Sequence, residues 1–218
     1  MQWPPFPDFT DRLRQRLTDP LPGIEAQGEM APDYRKDPEL AAVENKDCRE
    51  AGVLTLFFPG DAPMLVLTVR RDHLPDHAGQ ISFPGGQREG DETLPETALR
   101  EAHEEVGLDT APVKLLGALT PLYIPPSNFC VHPFVGVVPS EPNLRPTDAE
   151  VGQILRVPLA HLLDPETLVC EEWTLHGRAV MVPFFDVEGH KVWGATAMML
   201  AELLSVCRDA FGMPSRSC

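Results

Sequence analysis

The sequence predicts an α/β protein in which mixed strands surround two substantial helices. Three observations predict it. VLTLFF and MLVLTV flank a Pro59-Gly60-Asp61 turn, the pattern of a hairpin of mostly buried strands. Thr93 to Leu108 carries the start and stop signals of a short helix. ATAMMLAELLSVCRDAF, near the C-terminal end, spaces Met198, Leu203 and Val206 as the apolar stripe of a second one. A chain of 218 residues is about one domain by length and can bury a full core.

Residues 1–47 read as an N-terminal helical arm packed on a main domain at 48–218. Phe9, Leu13 and Leu17 space a short amphipathic helix over DFTDRLRQRL that ends at Asp19-Pro20. The following LPGIEAQGEMAPDYRKDPEL is proline-punctuated and reads as an irregular strap. After the VLTLFF and MLVLTV strands, QISF is a short strand that delivers the chain into a glycine loop. VKLLGALTPL and VHPFVGVV are further strands, separated by a YIPPSNFC loop that Pro125 and Pro126 keep out of a sheet interior. SEPNLRPTDAE is a polar surface segment. ILRVPLAHLLD reads as a strand running into a short helix, and LVCEEWTL and AVMVPFF form a second hairpin around His176-Gly177-Arg178.

Net charge is −15, from 33 acidic and 18 basic residues. That excludes non-specific nucleic-acid binding, which needs a basic surface. There is no run of eighteen apolar residues, so no membrane span is expected, and MQWPPFPDF lacks the basic and apolar regions of a signal peptide. Cys48, Cys130, Cys170, Cys207 and Cys218 show no C-x-x-C spacing and read as reduced thiols of a cytoplasmic protein. The histidines are scattered without ligand spacing.

The chemistry concentrates in Gly86 to Leu108, GQREGDETLPETALREAHEEVGL. Thr93 and Glu96 form a capping box, Pro95 lies in the first turn where a missing N–H costs nothing, and Gly107 supplies the left-handed stop. Glu101, Glu104 and Glu105 stand at i, i+3 and i+4 and share one helix face. Three like charges so close destabilise a bare helix, but a divalent cation among them reverses the sign. Oxygen ligands favour Mg²⁺ or Mn²⁺ over zinc. Arg100 and Glu92 read as a pair that fixes the helix against its entry loop.

These positions match without departure the signature of the Nudix hydrolases, G-x5-E-x7-R-E-U-x-E-E-x-G-U with U aliphatic. The resemblance implies an α/β/α sandwich with a mixed β-sheet. It also implies an enzyme that cleaves a diphosphate joined to another moiety, with Mg²⁺ or Mn²⁺ held by Glu101, Glu104, Glu105 and the Gly86 carbonyl. The expected catalytic residues are Glu104, Glu105, Arg100 and Glu150. The last belongs to DAEVGQILRVPL, where many Nudix enzymes bring a distant carboxylate to the metal. Glu104, Glu105 and Glu150 all remain candidates for the general base.

Upstream, LTVRRDHLPDHAGQISFPGG resembles the motif of the Nudix enzymes that hydrolyse coenzyme A (CoA). Leu67, Thr68, Arg70, Gly79, Phe83, Pro84, Gly85 and Gly86 match, as do His77 and Gln80, while Arg71 and Pro75 depart. The W-G-A-T-A segment at 193–197 resembles the same branch. What this implies is cleavage of CoA to 3′,5′-ADP and 4′-phosphopantetheine, with Arg70, His77, Gln80 and Phe83 contacting a small-molecule nucleoside diphosphate substrate. A pyrophosphatase of ADP-ribose or another nucleoside diphosphate derivative is the alternative enzyme. A non-catalytic Nudix ligand sensor is a second alternative, and an intact glutamate set counts against it. An isomerase of isoprenyl diphosphates shares the fold, and the complete signature counts against that too. A homodimer is left open.

Overall fold

The computed structural model describes residues 3–71, 79–175 and 177–214. The chain opens with helix α1 (Phe6–Arg16), which buries Phe9 and Leu13. The segment expected to be an irregular strap instead forms short helical turns: α2 (Gly23–Gly28), a 3₁₀ turn at Asp33–Arg35 and α3 (Pro38–Ala41). Asp37 caps the last of these by accepting from the Glu39 N–H at 3.0 Å.

Strands β1 (Arg49–Phe58) and β2 (Met64–Arg70) follow, then β3 (Ile81–Ser82), β4 (Gly85–Gln87) and helix α4 (Leu94–Val106). The hairpin expected between β1 and β2 forms only at its turn, where Phe57 faces Leu65 and Phe58 faces Met64. The strands then part, because β4 takes the same edge of β1 at Ala51–Val53 and β3 the same edge of β2 at Thr68 and Val69, while a longer strand holds each opposite edge. Strand β1 runs parallel to β7 (Phe129–Val137) from Arg49 to Phe57, and β2 runs antiparallel to β8 (Val151–Pro158). Strand β5 (Lys114–Ala118) extends the sheet beyond β7. Part of the expected YIPPSNFC loop is strand: β6 (Leu122–Ile124) pairs with β7, which leaves a turn at Pro125–Asn128.

Strand β8 runs directly into α5 (Leu159–Leu163), as its pattern suggests. A second sheet joins β9 (Leu168–Leu175), β10 (Arg178–Val187) and β11 (His190–Val192), the last a strand the sequence reading did not anticipate. Helix α6 (Gly194–Phe211) closes the fold.

The large mixed sheet is buried on both faces, which makes the α/β/α sandwich. Leu54, Leu56 and Phe58 of β1 pack with Ala98, Ala102 and Val106 of α4. Val53 and Phe57, of opposite parity, face the core that holds α1 and α6. The second core is larger, and α6 is buried all round from Thr196 to Leu204 rather than along one stripe. Phe9 of the arm stacks on Phe211 with ring centroids 5.1 Å apart and meets Phe57 edge-on at 5.4 Å. A buried carboxylate fastens arm and tail together. Glu202 accepts from Gln27 Nε2 at 2.8 Å and from the Thr120 hydroxyl at 2.6 Å.

The expectation of five reduced thiols needs correction. Cys48, just before β1, is joined to Cys130 on β7 by a disulfide with a Cα–Cα distance of 5.8 Å. The parallel β1–β7 register brings them together, since Glu50 pairs with Cys130. A sequence separation of 82 hides that neighbourhood from any local pattern. Cys170 and Cys207 are free, and Cys218 lies outside the described residues.

Candidate active site

Helix α4 is the platform, and its ends are built as its sequence demands. The Thr93 N–H and hydroxyl both donate to the Glu96 carboxylate, at 2.8 and 2.7 Å. Gly107 takes a left-handed φ of 65° and donates to the His103 carbonyl at 2.9 Å. The helix lies so close to β1 that a methyl group on Gly52 would overlap the Leu94 carbonyl. With Ala98 and Ala102 turned into the core, the opposite face carries Glu105 onto the edge of a cleft and Glu101 against Gly86, which also lines it.

Arg100 organises that face. Its Nε and Nη2 grip Glu92 in two-pronged fashion at 3.0 and 2.9 Å, and Nη2 also donates to the Gln87 carbonyl at 3.0 Å. Nη1 donates to Glu101 Oε1 and Glu104 Oε2, both at 2.9 Å. All the guanidinium donors are thereby used. Glu92 also accepts from the Glu89 N–H and the Thr97 hydroxyl. These bonds, Arg100's first, hold its carboxyl down at about 2.

Glu105 is the opposite case. Burial pushes its carboxyl up to about 8, and repulsion from Glu101, Asp148 and Glu150 adds to that. Its one compensating bond comes from the Gly85 N–H at 3.1 Å. Burial raises Glu101 as well, against the pull of Arg100.

Glu150 reaches the cleft from 45 residues beyond Glu105 because its loop is pinned to the end of α4. Thr147 donates from its hydroxyl to the Glu104 carbonyl at 2.6 Å and from its N–H to the Glu105 carbonyl at 3.1 Å. The polar segment expected to be mere surface is therefore the device that delivers a fourth carboxylate. Glu150 is ion-paired to Arg70 Nη1 at 2.7 Å.

The donor set fits a divalent cation. Glu101 and the Gly86 backbone are in such close approach that a Cβ on Gly86 would stand 2.5 Å from Glu101 Oε1. Glu101 and Glu105 both sit in surroundings that disfavour their charged forms, which a cation would neutralise. Among the described residues the carboxylates do not yet converge as a cage. Arg100 bridges Glu101 and Glu104, while Gly85 holds Glu105. Glu104 is half exposed and bonded to Arg100, so turning it inward would exchange that ion pair for the cation.

The cleft has a volume of about 320 Å³, and Arg70, Gln80, Phe83, Gly86, Glu105 and Glu150 all line it. Phe83 is buried in the larger core and forms the floor. Gln80 accepts from the Arg70 N–H through its carbonyl at 2.9 Å, which sets it beside the rim. His77 lies outside the described residues. Two features went unread in the sequence. Arg35 of the arm and the N-terminus of α6 wall an adjoining cavity. An arginine between two prolines in an irregular stretch carries no signal of that kind.

A layered mixed sheet with a glutamate-bearing helix over a cleft is the arrangement of the Nudix fold. The NUDIX domain model matches residues 47–186, and the chain belongs to the Nudix family. It is 36% identical over 156 residues to the uncharacterized Nudix hydrolase NudL of Photorhabdus laumondii, covering 71% of this chain and 83% of that one. It is 37% identical to the protein of the same name from Yersinia pestis, covering 71% and 78%. Among solved structures, the NUDIX domain of Shewanella oneidensis NrtR, complexed with ADP ribose, aligns with a TM-score of 0.44 at 20% identity. That alignment covers 54% of this chain and 77% of NrtR's. Nudix hydrolases generally use divalent metal cations.

Proposed function

We propose that this protein hydrolyses the diphosphate bond of CoA or its derivatives, yielding 3′,5′-ADP and 4′-phosphopantetheine with Mg²⁺ or Mn²⁺. One observation carries the reading. The described part of the CoA-type motif, from Arg70 through Gln80 and Phe83 to Gly86, lines the same cleft as Glu105 and Glu150.

Glu101, Glu104, Glu105 and the Gly86 carbonyl would hold the cation. When bound, it lowers the pKa of a water and neutralises charge on the diphosphate. Arg100 orients Glu101 and Glu104 and keeps Glu92 ionised as the anchor of the entry loop. Glu150 takes the proton of the attacking water as the new O–P bond forms and the bridging P–O bond breaks. Arg70 keeps Glu150 turned to the cleft, and as a phosphate contact it shares that carboxylate. The apolar floor at Phe83 and Ile81 suits the pantetheine arm.

The mechanism is tested at Glu104, whose side chain is half exposed and whose replacement leaves the core intact. Glu104→Gln should lose roughly a hundredfold or more in turnover with an unchanged circular dichroism spectrum. Full activity in this variant, or in excess EDTA, would sink the mechanism.

A further inference from the structure

Beyond the catalytic cleft, and continuous with it, lies a second cavity of about 250 Å³ between the arm and the start of α6. The two share Gln80, Ile81, Ile124, Ser127, Ala195 and Thr196 in their walls. Their chemistry is opposite. Glu105 and Glu150 line the first, whereas among the described residues no Asp or Glu lines the second.

Arg35 lines this second cavity and not the first, with only 7% of its surface exposed. Its Nη2 donates to the Tyr123 carbonyl at 2.9 Å, and among the described residues its Nε has no partner. Among the described residues it forms no ion pair. A guanidinium stays charged even where burial lowers its pKa, as it does here. A buried, uncompensated cation is costly, and an incoming anion offsets that cost.

The start of α6 points to the same ligand. This helix of 18 residues begins at the cavity wall with Gly194, Ala195 and Thr196, and no side chain caps it. Its first turn contains no acidic residue. The Thr196 hydroxyl is already donated to the Ile81 carbonyl at 2.8 Å. First-turn N–H groups and the positive end of the helix dipole favour an anion there. Tyr34 and Trp193 line the same cavity and supply aromatic surface for a nucleoside.

We propose that this cavity is an anion site that receives a phosphomonoester carried by the substrate outside its scissile diphosphate. Arg35 and the first turn of α6 are its donors, and they set specificity for a nucleotide with an additional phosphate on its ribose. The proposal rests on the functional reading above, in which that group is the 3′-phosphate of CoA. Arg70, the other cation near the cleft, is already held by Glu150.

Calorimetry in EDTA with 3′,5′-ADP and 5′-AMP as probes tests it without turnover. Wild type should bind 3′,5′-ADP about ten- to a hundredfold more tightly than AMP, the range for a charge-assisted contact. Arg35→Gln should shrink that gap to less than about threefold and leave AMP affinity unchanged. Ala195→Asp, which places a carboxylate at the helix start without opening the core, should shrink it too. Equal affinities in wild type overturn the proposal, as does a gap that survives both substitutions. If Arg35-dependent binding holds but CoA is not hydrolysed, the anion site stands and the CoA reading falls. If CoA is hydrolysed and the gap ignores Arg35, the CoA reading stands and the anion site falls.

Discussion

Replacing Glu105 by Gln should make the metal-free protein more stable while destroying its activity. The amide oxygen of Gln can still accept the Gly85 N–H, so the local bond is kept and only the titration is removed. Burial lifts the Glu105 carboxyl from 4.5 to about 8, so the folded state binds more protons than the unfolded state between those values. Stability therefore falls as pH rises from 4.5 to about 8 and is level beyond. At about 1.4 kcal/mol per unit the full shift converts to roughly 5 kcal/mol. Relaxation around a group that borders an open cleft reduces this to about 2–4 kcal/mol. Urea unfolding in EDTA at pH 5, 7 and 9 reads the effect. The variant's advantage should be small at pH 5, larger at pH 7 and greatest at pH 9. Adding Mn²⁺ should then stabilise wild type and not the variant. A variant less stable than wild type at pH 9 would refute the reasoning, because Glu105 would then be a comfortable anion.

Arg100→Ala should lower both kcat and melting temperature, since Glu92, Glu101 and Glu104 all lose a donor. Arg100→Lys should recover little, because an ammonium cannot span all three carboxylates. A lysine variant with wild-type kcat would count against an orienting role. Glu150→Gln should lower kcat with KM nearly unchanged. Wild-type kcat in that variant would leave Glu150 as the ion-pair partner of Arg70 only. Cys48→Ala should cost roughly 2–4 kcal/mol in denaturant unfolding, since the disulfide closes a long loop. Unchanged stability would mean that the cysteines are not joined in solution.

What could be read from the sequence was what is local. The capping box at Thr93 and Glu96, the stop at Gly107 and the shared face of Glu101, Glu104 and Glu105 are all set within one or two helical turns. What escaped depends on partners distant in the chain. The β1–β2 hairpin shrinks to its turn because β4 takes the same edge of β1 further along. The Cys48–Cys130 disulfide follows from the parallel pairing of β1 with β7. The resemblance names Glu150, but Thr147, which pins its loop to α4, reads in the sequence as polar surface. Arg35 meets Tyr123 across 88 residues, and nothing around it marks an arginine about to be buried. The glutamate face was thus legible, and the far wall of the cleft was not.

Chromatographic product analysis with Mg²⁺ or Mn²⁺, run in parallel on CoA, dephospho-CoA and ADP-ribose, decides whether CoA is the substrate. CoA should yield 3′,5′-ADP and 4′-phosphopantetheine, with a kcat/KM above those for dephospho-CoA and ADP-ribose. Faster cleavage of ADP-ribose than of CoA, with dephospho-CoA no worse than CoA, would contradict it.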